Sequence, residues 1–222
     1  MVKLLKQTTY KEFIRVNEKV AKTSPMSSHY NSRNYFEKLL WKRKKMMIKE
    51  ILDELKINDI IELGCGDAGL VDVINPKISY TGLDISPTQV KNAKKHINKI
   101  NRKNAVIYQK DILDIINDNH KYDAALLCDV IEHVLDPEQL LKNTKKVVKR
   151  GGYILISIPN ESIWQLIRLL ALRFPPRSPD HLYAISPKDI EKMFPNVVKK
   201  SFIPFGFTSR FSLIRILLVK ND

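Results

Sequence analysis

A chain of 222 residues, 44% of them hydrophobic, is long enough for one full-sized domain with its own core. Its two cysteines, Cys65 and Cys128, lie far apart, which excludes a disulfide framework or a cysteine-based zinc cluster and points to a reducing, cytoplasmic compartment. The formal charge of +14 favours anionic partners (RNA, DNA, acidic lipid headgroups or acidic metabolites) without choosing among them.

Residues 1–56 hold fourteen Lys and Arg against six Asp and Glu, including WKRKK at 41–45, a run read as a solvated helix face. The N-terminal MVKLLKQTTYKEF lacks an apolar stretch of signal-peptide length. The most apolar segments, IWQLIRLLALRF and FSLIRILLV, are short and broken by arginine, so no membrane span is expected.

In chain order, a polar turn at Ser28–Arg33 precedes YFEKLLWKRKKMMIKEILDELK. There Phe36, Leu39, Leu40, Met46, Met47, Ile51 and Leu55 recur at three- and four-residue intervals, the mark of an amphipathic helix. DIIEL is a short buried strand closed by a glycine turn, and SYTGLD is a second strand ending at Asp84. Pro87 then opens a helix. Strand NAVIYQ, the connection DILDIINDNH, strand YDAALLCDV, helix PEQLLKNTKKVVKR and strand YILISIP follow. Asp136 is placed to cap the helix that Pro137 starts, and Gly151 to end it.

Strands alternating with helices imply right-handed crossovers and a parallel sheet covered on both faces: an α/β, doubly wound fold. After Asn160 the rhythm breaks into ESIWQLIRLLALRF, the proline-rich FPPRSPDH and a short helix around SPKDIEKMF. The last two strands, VVKKSFIPF and FSLIRILLVK, have no crossover between them and pair antiparallel at one sheet edge.

The turn after DIIEL spaces Gly64, Gly66 and Gly69 as G-x-G-x-x-G, where backbone and ligand meet in an open α/β sheet. Asp84 stands 20 residues after Gly64, where a carboxylate accepts both hydroxyls of a ribose, so the ligand contains a nucleoside. NAD and S-adenosylmethionine both qualify. A Tyr-x-x-x-Lys hydride-transfer pair is absent after every tyrosine, which weakens the case for NAD.

The ordered series IELGCGDAG, GLDIS, DILDI, YDAALLCDVIEHVLDP and KRGGYILISIPN, over 60–160, resembles the class I S-adenosylmethionine-dependent methyltransferases, in particular their quinone-biosynthesis O-methyltransferase branch. The resemblance implies a Rossmann-like, mostly parallel seven-stranded sheet with an antiparallel edge strand. It also implies an N-terminal helical segment, 1–56, packed on a methyltransferase domain, 57–222, with a substrate lid at 161–195. Carried over residue by residue, it places Glu62, Gly64, Cys65 and Gly66 at the methionine end. Asp84 and Ile85 fall at the ribose, Asp111 and Ile112 at the adenine, and the Cys128 carbonyl near the methionine amino group. A basic residue upstream, Arg33 or Arg43, would reach the methionine carboxylate.

A hydroxyl acceptor needs a proton acceptor, and His133 or His181 of PDHLY supplies one at the strand rim. Alternatively Asp129, Glu132 and His133 bind a divalent cation, as the likeness of VIEH to quinone-biosynthesis and small-RNA 2′-O-methyltransferases implies, with Asp129 where those have glutamate. The segment Ile163, Trp164, Leu166, Ile167, Leu169, Leu170 and Leu172, with Arg168, Arg173 and Arg177, reads as a lid over a lipophilic or anionic acceptor, as a membrane-surface contact, or as a helix packed on the core. The expected activity is methyl transfer to a small-molecule hydroxyl. The alternatives are an RNA 2′-O-methyltransferase and a non-catalytic protein that binds adenosyl ligands.

Overall fold

The structure, a computed structural model, describes residues 3–23, 35–117, 120–170, 181–203 and 212–222. A short strand, β1 (Lys3–Leu4), and two helices, α1 (Tyr10–Thr23) and α2 (Tyr35–Asp53), precede the sheet. Then come β2 (Asp59–Leu63), β3 (Ser79–Asp84), α3 (Pro87–Lys99), β4 (Ala105–Gln109), β5 (Tyr122–Cys128), α4 (Pro137–Val147) and β6 (Val148–Pro159). The chain ends with α5 (Glu161–Leu170), β7 (Tyr183–Ala184), α6 (Pro187–Met193), β8 (Val197–Ile203) and β9 (Ile214–Lys220). The expected turn at 28–33, with Arg33, and Leu172, Arg173 and Arg177 of the apolar segment lie outside the described residues.

The main sheet has seven strands in the order β4-β3-β2-β5-β6-β9-β8. The first five are parallel; β9 runs antiparallel to both β6 and β8. The last two strands therefore pair as expected at one edge, with the reversed strand one place in from it. Successive side chains of a strand face opposite sides of the sheet, and these strands are apolar at both parities, so each face carries its own core. Ile60, Ala124, Leu126 and Leu155 meet α2 and α3 on one face; Ile61, Leu63, Ala125, Leu127, Ile154 and Ile156 meet α4 and α6 on the other.

Local chemistry sets the helix ends. Ser86 Oγ accepts from Gln89 N at 3.2 Å, with Pro87 in the first turn of α3, and Asp136 Oδ1 accepts from Gln139 N at 2.8 Å at the start of α4. Helix α4 stops at Val147, ahead of Gly151, which instead lies inside β6. The cause is tertiary: the Asn221 side-chain amide donates to the carbonyls of Lys145, Val148 and Lys149 and so satisfies the helix end.

Helix α2 is amphipathic, but in a different phase from the expected one. Leu40, Lys44, Ile48, Ile51 and Leu52 are buried, while Phe36, Leu39 and Met46 face outward. Among the described residues no helix is long and apolar enough to cross a membrane.

Candidate active site

Sequence order reverses at β2, which has β3 on one side and β5 on the other, so a crevice opens beyond its carboxyl end. There the chain turns through Gly64 (φ +72°) and Gly66 (φ +54°). A Cβ on Gly64 would lie 2.3 Å from Val130 Cγ2, so both backbone conformation and space demand glycine. Asp84 pins this turn: its Oδ2 accepts from Gly66 N at 2.8 Å and its Oδ1 from Ser86 N at 2.9 Å. Burial pushes its carboxyl up while the two amide bonds pull it down.

Asp84 lines a cavity of about 140 Å³ together with Gly64, Gly66, Ile85, Asp111, Ile112, Cys128 and His133. Each carboxylate oxygen offers two acceptor sites, so Asp84 retains capacity for a diol after pinning the turn. Helix α1 roofs the cavity with Phe13, Asn17, Val20 and Ala21. The roof is latched at both ends. The Tyr10 hydroxyl donates to Asp111 Oδ2 at 3.1 Å, and Ser86 Oγ donates to Glu18 at 2.6 Å, with Thr88 beside it. Gln89 also lines the cavity, and its side-chain oxygen is buried without a hydrogen-bond partner.

A smaller pocket of about 20 Å³ adjoins it at the glycine turn, lined by Lys44, Glu62, Cys65, Asp67 and Cys128 among others. Burial pushes the Glu62 carboxyl up to about 8, against the hydrogen bond donated by the Tyr80 hydroxyl. Lys44, only 1% exposed, lies beside the Trp41 ring and pairs with Asp129 Oδ2. The other Asp129 oxygen accepts from Ser157 Oγ at 2.8 Å.

Beyond β5, a single helical turn, Ile131–His133, carries Glu132 inward. One ligand atom each from Glu132, His133 and His181 lies within 4.8 Å of the others, and the two imidazole rings meet edge to face at 4.7 Å. Both Glu132 oxygens are buried without a hydrogen-bond partner. Burial raises its pKa, and the two imidazoles oppose that rise. Glu161, the first residue of α5, contacts His181 Nδ1. His133 belongs both to this cluster and to the lining of the large cavity.

A family model for a methyltransferase domain matches residues 61–154, the span from β2 to β6. The ubiquinone biosynthesis O-methyltransferase of Nitrosomonas europaea is 30% identical over 156 residues, 66% of this chain and 65% of that protein. Residues 61–154 thus match a methyltransferase domain, and the chain is similar to the class I S-adenosylmethionine-dependent methyltransferases. The matched stretch spans less than two thirds of that relative. Two solved structures share the methyltransferase fold. Magnesium protoporphyrin IX methyltransferase from Synechocystis PCC 6803, with bound SAH, has a TM-score of 0.70 at 15% identity over 95% of this chain and 100% of that one. Small RNA methyltransferase HEN1 has a TM-score of 0.70 at 19% identity over 82% of this chain and 26% of that one.

The match to a methyltransferase domain implies S-adenosyl-L-methionine as cofactor. The cavity fits an adenosyl group chemically, offering the Asp84 carboxylate, an unpartnered Gln89 oxygen and apolar walls from Ile85 and Ile112. Cys65 and Cys128 are free, and burial pushes both thiols up, so they line the site as neutral groups.

Two expectations need correction. Arg43 pairs with Glu50 on the surface, and Lys44 is the cation turned inward. Asp129 is outside the acid-imidazole cluster because Lys44 and Ser157 occupy its carboxylate; His181 stands there instead. Asp111 lines the cavity, and its carboxylate also accepts from the Tyr10 hydroxyl and from Leu113 N at 2.9 Å. Sequence reasoning missed Glu161, Gln89 and the α1 roof. For the roof a signal existed, since Tyr10, Phe13, Val20 and Ala21 recur at helical spacing.

Proposed function

We propose that the chain transfers a methyl group to a hydroxyl of a small-molecule acceptor. The observation that carries this reading is the double membership of His133, in the acid-imidazole cluster and in the wall of the cofactor cavity. S-adenosylmethionine, when bound, supplies a methyl group already activated on a positive sulfur. Glu62, Gly64, Cys65, Gly66 and the Cys128 carbonyl hold its amino-acid end, with Lys44 supplying the cation; Asp84 and Ile85 hold the ribose; Asp111 and Ile112 border the adenine. Helix α1 excludes water from the cavity.

The remaining task is the acceptor's proton. His133 and His181 face each other at the rim, where one of them takes the proton of the acceptor hydroxyl. Glu132, His133 and His181 also fit a divalent cation, because a buried carboxylate with two unpartnered oxygens beside two imidazoles is a hard-to-borderline donor set. A cation held there would lower the hydroxyl's pKa.

We further assign residues 1–56 to a helical cover on the methyltransferase domain at 57–222, and 161–195 to a lid over a lipophilic or anionic acceptor. The leucines that α5 turns outward, Leu166, Leu169 and Leu170, support that assignment and a contact with a membrane surface. Two buried free thiols support a reducing, cytoplasmic setting.

The test is label transfer from methyl-labelled S-adenosylmethionine to a panel of phenols and catechols, with and without alkyl tails. Transfer should occur and fall at least 100-fold in His133→Ala with cofactor affinity kept; label transfer indifferent to both histidines sinks the reading. A second reading, RNA 2′-O-methylation, is favoured by the +14 charge. Acceptor binding that collapses between 50 and 200 mM salt, losing on the order of 10³-fold, would select it.

A further inference from the structure

We propose that Glu161 is the positioning residue of the acceptor-side cluster, fixing the His181 ring so that Nδ1 carries the proton and Nε2 is left with its lone pair for the reaction. The inference rests on the methyl-transfer reading above for its purpose, though not for its geometry. Glu161 Oε1 accepts from His181 Nδ1, and the two side chains are only 10% and 12% exposed, so water does not compete for the contact. In a neutral imidazole one nitrogen is a donor and the other an acceptor, and the bond made by the first decides the role of the second.

A purely structural tie between α5 and the returning chain is the competing explanation, and other bonds already make that tie. Leu182 N donates to Glu132 O at 2.8 Å, Leu5 N donates to Leu182 O at 2.8 Å, and the Tyr183 hydroxyl donates to Leu135 O at 2.9 Å. The backbone that follows His181 is thus anchored through Leu182 and Tyr183 without Glu161. What those bonds leave free is rotation and tautomer of the ring, and these are what a carboxylate at Nδ1 settles.

Glu161 is also held as an acceptor. It opens α5, where the helix dipole favours a negative charge. With Nδ1 committed to Glu161, Nε2 is the nitrogen left to serve the cluster. Whether that lone pair takes a proton or binds a cation, the same orientation serves.

The experiment uses full-length protein with 15N-labelled histidine and a chelator present, reading ring-nitrogen shifts at pH 8 and assigning His181 from a His181→Asn sample. The expected result is the Nδ1–H tautomer in the wild type, retained in Glu161→Gln, whose side-chain carbonyl still accepts from Nδ1. In Glu161→Ala the ring should revert toward Nε2–H. Turnover should fall 10- to 100-fold in Glu161→Ala with KM for S-adenosylmethionine unchanged, and recover most of that loss in Glu161→Gln. An Nε2–H tautomer or an imidazolium in the wild type overturns the proposal, as does a Glu161→Ala ring identical to wild type with only the melting temperature lowered. The ring shifts need no acceptor, so a failure of the methyl-transfer reading would leave the tautomer result standing and be told apart from it.

Discussion

Replacing Glu62 by glutamine should change the proton balance of cofactor binding, and the sign can be worked out. Burial raises the Glu62 carboxyl to about 8, so at pH 7 roughly nine tenths of the empty protein carries a proton there. An α-amino group, with a pKa of about 7.7–8.0, is also mostly protonated at pH 7. Bringing an ammonium against Glu62 favours the carboxylate, so the carboxyl proton must leave while a small neutral fraction of the amine takes one up. The net release is about 0.7–0.8 proton per site at pH 7. At pH 9 Glu62 is already ionised and the amine mostly neutral, so the balance reverses to a net uptake of roughly 0.8.

Calorimetric titration with S-adenosylhomocysteine in phosphate, HEPES and Tris measures this directly, since the observed heat shifts with the buffer's ionisation enthalpy. In Glu62→Gln the release at pH 7 should vanish. A buffer-independent heat in the wild type at pH 7 would refute both the position of Glu62 in the amino-acid pocket and the burial argument. The same raised pKa has a consequence for the empty protein. Stability from this group is fully present below the unfolded carboxyl value and is lost as pH rises through about 8, so Glu62→Gln should flatten the stability profile between pH 4.5 and about 8.

Lys44→Met leaves Asp129 with a partly buried charge and should destabilise the fold by about 3–5 kcal/mol in urea melts. Adding Asp129→Asn should recover part of that loss, and a single-variant cost under about 1 kcal/mol would show the pair to be solvated. Tyr10→Phe removes one latch of the α1 roof and should speed cofactor release about 3- to 10-fold in stopped flow, with little change in melting temperature, since one hydrogen bond contributes about 0.5–1.5 kcal/mol. Chelation followed by add-back of Mg²⁺, Mn²⁺ or Zn²⁺ should restore any lost turnover in the wild type but not in Glu132→Gln. Turnover indifferent to chelator and to that substitution would remove the cation from the account.

What could be read from the sequence was what is decided locally. Gly64, Gly66 and Asp84 sit on one strand-turn-strand unit whose register, Leu63 opposite Leu83, follows from short connections, so their convergence was legible. The phase of α2 was not. Leu40, Lys44 and Ile48 form the buried stripe, and a lysine in its middle disguises it, while the outward Phe36, Leu39 and Met46 imitate it. That phase alone decides whether Arg43 or Lys44 reaches the glycine turn. The cluster at His133 depends on a still longer excursion. His181 and Glu161 reach it from segments after β6, and no periodicity within either segment encodes the meeting. Asp129 shows the converse: motif spacing grouped it with Glu132 and His133, and a partner 85 residues away in sequence, Lys44, drew it off.

The most direct test of the account is titration of the wild type and Asp84→Ala with S-adenosylhomocysteine. The account predicts one site in the wild type and an affinity at least 10- to 100-fold weaker in the variant, from loss of charge-assisted bonds of about 1.5–3 kcal/mol each to the sugar hydroxyls. Equal affinity in the two proteins, with the variant still folded, would contradict it.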